Sequence, residues 1–406
     1  MADIRPFQAI RPRVDLAEQI AALPYDVFDE EEARRFVKER PGSFLAIDRA
    51  ETQFPVGQDP YAKEVYEKAR ELLWGRLEAG DFVKEEIPCF YIYEQEWRGR
   101  VQTGIAACAS IDDYMNGVIK KHENTRRDKE EDRVRHVDTC GAHTGPIFLC
   151  YRRNAGLASI VSEIKKTDPI YDFTSHDSTK NRVWVVRDAD WIAGISRAFE
   201  AMDSIYIADG HHRCASAVRV GEKRREKGIH DDSGHFLSIL FPDNELAIMD
   251  YNRVVRDLNG LSVEDFLARV SEAFVVSEAD SPVAPDRKGV FGMFLGKRWY
   301  RLEIKPEYTS DDAVKGLDVS VLQDNLLGPV LGIGDPRTDT RIDFIGGVRG
   351  LGELERRVAT DMTVAFSMHP TTLAELFKVA DEGRLMPPKS TWFEPKLLSG
   401  LFIHAL

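Results

Sequence analysis

Asp209-Gly210-His211-His212-Arg213 closes the apolar run Ser204-Ile205-Tyr206-Ile207-Ala208. An acid and a glycine end a buried strand, and two imidazoles and a guanidinium then open a helix. That order has the chemistry of an anion cradle. Glycine permits a tight turn and a close backbone approach to a ligand. A helix start offers free N–H groups and the positive end of the dipole. Arg213 adds a planar fork that matches phosphate, and His211 and His212 can donate to phosphate oxygens or shuttle a proton. Burying five such residues with no ligand to hold would be costly.

Two further segments carry chemistry. From Lys120 to Arg133 the chain is almost continuously polar, and Lys121, Glu123, Asn124, Thr125, Arg126 and Arg127 fall close together. A solvated charged face accounts for such a run. So does a site for a metal-bound polyphosphate, with Glu123 as a Mg²⁺ ligand and Lys121, Asn124 and Arg127 on the phosphates. Near the C-terminus, Met386-Pro387-Pro388-Lys389-Ser390-Thr391-Trp392-Phe393-Glu394-Pro395-Lys396 sets a cation and two hydroxyls on a proline-stiffened path. Lys389, Ser390 and Thr391 could line an acceptor pocket. Trp392 and Phe393 supply either a stacking surface or a tail that docks in the core.

Other patterns fail as sites. Gly328–Gly334 is glycine-rich but lacks the Gly-Lys-Ser/Thr of a P-loop. Gly346–Gly352 misses the dinucleotide spacing, and no βαβ unit is evident around it. His211 and His212 are neighbours on a helix and point apart, which disfavours a shared zinc. Cys214 reads as core.

These residues must be positioned by a chain of 406 residues, which at roughly 150 per domain predicts two or three domains. There are 68 acidic against 55 basic residues, a net charge of −13 that repels a phosphodiester backbone. No nucleic-acid partner is therefore expected. No run reaches the roughly 18 apolar residues of a membrane span, and Met1-Ala2-Asp3-Ile4-Arg5-Pro6 has no apolar leader, so no membrane partner and a cytoplasmic location are expected. Cys89, Cys108, Cys140, Cys150 and Cys214 include no C-x-x-C pair and read as small core residues.

Helix signals and strand signals alternate, which predicts a mixed α/β (α+β) chain with mixed sheets. Asp29 and Glu32 form a capping box for a helix that stops before Pro41, and a second helix opens at Asp59-Pro60. Ile87–Gln95 with Arg100–Ile111, Phe236–Phe241 with Leu246–Val255, and the stretch Val290–Ile304 read as hairpins. Helices are expected over Asp188–Met202, Ser262–Phe274, Val319–Leu327, Gly352–Ala359 and Thr371–Glu382. The pattern restarts after Leu258, so a core over residues 1–255 and a C-terminal α/β domain over 256–406 are expected.

Leu23-Pro24-Tyr25-Asp26-Val27, Lys121-His122-Glu123 with Thr125, Asp132-Arg133, Ile207–Arg213 and Met386–Lys396 together resemble a large prokaryotic family of unknown function, family 1015, from end to end of the chain. The Asp-Gly-His-His-Arg turn is also similar to the phosphate-binding motif of the ParB/sulfiredoxin superfamily, which includes the free-serine kinases. That resemblance implies a ParB/sulfiredoxin-like nucleotide-binding core, with Gly210, His211, His212 and Arg213 on phosphates. Glu123–Arg127 resembles the Glu-Asn-x-x-Arg pattern of the partitioning proteins, although here it precedes the turn instead of following it. Sulfiredoxin chemistry would need a cysteine where this chain has His211.

The resemblance implies nucleotide-dependent phosphoryl transfer to or from a small hydroxyl metabolite such as serine or phosphoserine, with Mg²⁺ and ATP or ADP. Asp26 or Asp209 would be the proton acceptor, and His211 and His212 would assist. A nucleotide-binding switch acting through a protein partner and a metal-dependent small-molecule phosphatase are the alternatives. A homodimer is an open expectation.

Overall fold

The computed structural model describes residues 1–125 and 127–406, Asp128 without its side chain. Arg126, named above with the Glu123 segment, lies outside the described residues. The chain folds as two compact units. One comprises Met1–Lys121, Thr125–Leu246 and Pro395–Leu406, the other His122–Asn124 and Ala247–Glu394. Apart from His122–Asn124, the second unit begins at Ala247, and the last segment, Pro395–Leu406, belongs to the first. Among the described residues, no helix is long and apolar enough to cross a membrane.

The first unit is built on a nine-stranded mixed sheet. Its order is Ile119–Lys120, Ile205–Asp209, Ile147–Tyr151, His235–Pro242, Arg100–Ser110, Phe90–Trp97, Lys180–Val186 and Tyr171–Thr174, with Ile4–Arg5 added beside Arg100–Ser110. Ile205–Asp209 runs parallel to Ile119–Lys120 and antiparallel to Ile147–Tyr151, which in turn runs parallel to His235–Pro242. The central strands are buried along nearly their whole length, as their uninterrupted apolar sequences require. Ile92, Leu149, Ile207 and Phe236 belong to the main core of this unit. A second core gathers the N-terminal helices around Phe44, Leu73 and Phe82 and includes Ile403 from the returning segment.

The local signals held where the chemistry was local. Asp29 and Glu32 close a capping box on Glu30–Glu39, and Asp188 and Ser262 cap Ala189–Glu200 and Val263–Ala273. Phe90–Trp97 and Arg100–Ser110 pair as the expected hairpin, as do Val290–Leu295 and Arg298–Ile304. The helix expected from Asp59 begins only at Lys63. Asp59 instead accepts from the Tyr61 N–H at 2.9 Å, a local turn that delays it.

Phe236–Phe241 and Leu246–Val255 are not a hairpin. His235–Pro242 is flanked on both sides, by Arg100–Ser110 and Ile147–Tyr151. Tyr251–Val255 belongs to the second unit, between Ile342–Gly346 and Val364–Ser367. Both strands are buried on both faces, so each takes a place inside a sheet with partners distant in sequence.

The second unit holds a six-stranded antiparallel sheet ordered Phe274–Ala279, Arg298–Ile304, Val290–Leu295, Val364–Ser367, Tyr251–Val255 and Ile342–Gly346. Ile342–Gly346 and Val364–Ser367 are each antiparallel to the strand between them and so parallel to each other. The helix Leu351–Thr360 links them, and a strand–glycine loop–helix–strand unit therefore does exist here, contrary to the sequence reading. Its first glycines serve packing. A Cβ on Gly346 would lie 2.8 Å from the Trp392 ring, and one on Gly347 would clash with the Asp250 carboxylate.

Candidate functional site

The strand Ile205–Asp209 ends on Asp209, and Gly210 turns the chain with φ 87° and ψ 32° into the helix His211–Glu226. Only glycine adopts that left-handed geometry without penalty. The Arg213 guanidinium folds back over the turn, so a Cβ on Gly210 would meet its Nε and Nη2 at 3.1 Å. Arg213 is held there by a 2.6 Å hydrogen bond from Nη1 to the Pro146 carbonyl.

Asp209 braces the corner. Its Oδ1 accepts from the Gly210 N–H at 2.8 Å and its Oδ2 from Lys396 Nζ at 3.0 Å. Burial pushes this carboxyl upward, but Lys396, Arg213 and the Gly210 N–H outweigh it and hold the group well below the usual carboxylate range. Asp209 is thus a fixed anion and a weak proton acceptor. Lys396 was visible in the sequence only as the end of the proline-rich segment. The return of residues 395–406 to the first unit is what brings it to Asp209.

His211 is buried and His212 half-buried in the first turn of the helix. The buried Cys214 follows, and burial raises its thiol far above the ordinary range, as a core residue requires. All five cysteines are free and buried. Arg127 is exposed and opens the helix Arg127–Cys140, which packs along His211–Glu226 through Ser216 Oγ to the Glu130 carbonyl (3.0 Å) and Arg219 to Glu130 (2.9 Å). Lys121 is exposed, its ammonium 5.6 Å from the centre of the Tyr114 ring.

Behind Arg213 lies a polar chamber of about 30 Å³, whose walls include Tyr25, Asp48, Arg133, His143, Thr144 and Arg213. That is room for one or two waters. The Arg133 guanidinium stacks 4.1 Å from the Tyr25 ring centre and pairs with Asp132 at 2.8 Å, while Tyr66 donates to Asp132 at 2.9 Å. Thr144 donates to the buried Asp48 at 2.8 Å. Burial pushes the Tyr25 phenol up to about 12, so it stays neutral. Burial, with help from Arg133, lowers His136 to about 4, and burial holds His143 well below its ordinary value. Asp26 sits beside Tyr25 on the single turn Tyr25–Val27 and is exposed. The Asp132-Arg133 pair was legible only through family resemblance. Asp48, Thr144 and the Pro146 carbonyl carried no signal at all.

The other sequence candidates are gathered in the second unit. The His122 carbonyl accepts from the Met386 N–H at 2.8 Å, and His122 Nε2 lies 3.3 Å from Thr391 Oγ1. His122, the residue before Glu123, therefore meets the Met386–Thr391 segment. Lys389 adopts φ 59°, its carbonyl accepts from Arg253 at 3.0 Å, and its ammonium lies 5.5 Å from the centre of the Tyr251 ring. Ser390 is buried and donates to the Pro387 carbonyl at 2.6 Å, so its hydroxyl closes its own turn. Trp392 packs edge-on against Tyr251 with ring centres 5.0 Å apart.

The model of the family described as "Protein of unknown function (DUF1015)" matches residues 4–320. Among solved structures, the chain is similar to a free serine kinase in complex with AMP, at 14% identity and TM-score 0.36, over 73% of this chain and 91% of that one. It is also similar to SbnI with a C-terminal truncation from Staphylococcus aureus, at 10% identity and TM-score 0.39 over 72% and 85%. A conserved hypothetical protein from Pyrococcus furiosus is similar at 15% identity and TM-score 0.34, over 74% and 94%. No curated protein matches.

Proposed function

The chain belongs to the DUF1015 family, and on that footing we propose that it is a phosphotransferase that moves a phosphoryl group between a nucleotide, ATP or ADP, and a small hydroxyl metabolite, in the manner of the free-serine kinases. One observation carries this reading: the Arg213 guanidinium is folded over a left-handed glycine at the start of a sixteen-residue helix. The positive dipole end of a helix and a guanidinium converge there, which suits a polyphosphate.

In this reading Gly210, His211, His212 and Arg213 hold the phosphates, and Lys396 with Asp209 fixes the corner. The acceptor oxygen attacks the terminal phosphorus, the bond to the bridging oxygen breaks, and the acceptor proton passes to a carboxylate. Asp26 suits that role better than Asp209, whose oxygens are already engaged by Lys396 and Gly210. The same engagement leaves Asp209 a poor Mg²⁺ ligand. Glu123, in the second unit, remains the proposed Mg²⁺ ligand. Lys389 and Thr391 remain proposed acceptor-binding groups in that unit.

The test is to incubate the protein with ATP or ADP, Mg²⁺ and a panel of hydroxy amino acids, with detection of phosphorylated product. A phosphorylated acceptor is expected, and its formation should fall with Asp26→Asn. Nucleotide turnover without such a product would mean a switch protein, and phosphate release from phosphoserine without nucleotide would mean a phosphatase. Either outcome overturns the reading.

A further inference from the structure

The first unit holds a second and larger cavity, of about 260 Å³. It lies at the opposite end of the strand Ile147–Tyr151 from the glycine turn. At the first end Asp209 pairs with Phe148 and Arg213 reaches the Pro146 carbonyl. At the second, Tyr151 and Pro242 close two parallel strands in register, and both line the cavity. Four residue steps separate the ends, roughly 13 Å at about 3.3 Å per residue. A crevice outside the carboxyl ends of parallel strands is where open α/β sheets receive small ligands. The volume lies just under the usual range for ligand pockets, which suits a small metabolite better than a nucleotide.

Two charged groups of opposite sign face this cavity without a salt-bridge partner among the described residues. Arg153 is exposed at its rim; its backbone N–H donates to Asp243 at 3.0 Å, and its guanidinium makes no ion pair. The helix Ala155–Ile164 starts beside it, capped by Asn154 at 3.0 Å from the Leu157 N–H. Glu245 is half-buried in the wall, and one of its oxygens accepts from the Thr103 N–H at 2.6 Å. The neighbouring cation, Lys165, is already committed to Glu94 and to Thr103 Oγ1. A guanidinium and helix start on one side, with a carboxylate outside any salt bridge among the described residues on the other, match a carboxylate and an ammonium carried by one small molecule.

We propose that this cavity binds a small α-amino acid as its zwitterion, with the carboxylate on Arg153 and the helix start and the ammonium on Glu245. The site shares no residue with the glycine turn and does not depend on the phosphotransferase reading.

The experiment is calorimetric titration of the full-length protein with L-alanine, which has no hydroxyl to phosphorylate, and with propionate, which lacks the amine. L-alanine is expected to bind. Arg153→Ala should weaken it by roughly tenfold or more, the scale of one charged hydrogen-bonding partner. Glu245→Gln should weaken L-alanine by a similar factor while leaving propionate unchanged. Ala158→Phe, at an exposed position in the cavity wall, should block both ligands without removing any polar group. Arg213→Ala should leave L-alanine affinity at the wild-type value. Absence of L-alanine binding to the wild type would overturn the proposal. So would binding that survives all three cavity variants, or binding lost in Arg213→Ala, which would move the ligand to the glycine turn.

Discussion

Replacing Arg213 with alanine separates what its guanidinium does for the fold from what it does for a ligand. In the folded chain Nη1 makes one hydrogen bond, to the Pro146 carbonyl. The net loss on deleting such a bond is about 1 kcal/mol, which for a unit of this size lowers Tm by roughly 2–4 °C. If the guanidinium also grips nucleotide phosphates, a charge-assisted contact worth about 1.5–3 kcal/mol is lost from binding, some 10- to 150-fold in Kd. Arg213→Lys, which keeps the charge but not the fork, should fall between wild type and alanine. Titration of fluorescent ADP, with thermal unfolding measured on the same samples, reads both quantities. Near-wild-type nucleotide affinity in a folded Arg213→Ala protein would refute the cradle and the function drawn from it.

Gly210→Ala forces a left-handed φ on a residue with a Cβ and drives that atom against Arg213, so a loss of roughly 1–2 kcal/mol in urea unfolding is expected, together with weakened nucleotide binding. Unchanged stability would show that the turn relaxes freely. Asp132→Asn removes the ion-pair partner of the buried Arg133, and about 3–5 kcal/mol of stability should go with it; a loss under 1 kcal/mol would show that Tyr25 and water compensate. His136 and His143 stay neutral when folded but protonate near pH 6.5 when unfolded. Stability should therefore fall as pH drops from about 6.5 towards 4, by up to about 1.4 kcal/mol per pH unit for each histidine. Urea midpoints that stay flat between pH 6.5 and 5, or a slope that His136→Gln leaves unchanged, would contradict this.

Features that depend on neighbours along the chain could be read from residue order. The capping box at Asp29/Glu32, the hairpin of Phe90–Trp97 with Arg100–Ser110, and the glycine turn after Ala208 were legible because a few adjacent residues supply the hydrogen bonds or the φ that defines each. The mixed α/β class followed from the alternation of these signals. Tertiary structure alone decided what depends on distant partners. A fully buried strand such as His235–Pro242 carries no alternation to reveal its neighbours, so its pairing with Ile147–Tyr151 was invisible and a false hairpin took its place. The Lys396–Asp209 pair spans 187 residues and exists because the last segment folds back into the first unit. The same is true of the 260 Å³ cavity, whose walls come from three separate stretches of chain. Hydrogen bonds between near neighbours are written in local residue order, whereas charge pairs and cavities arise only when packing brings remote side chains into one low-dielectric space.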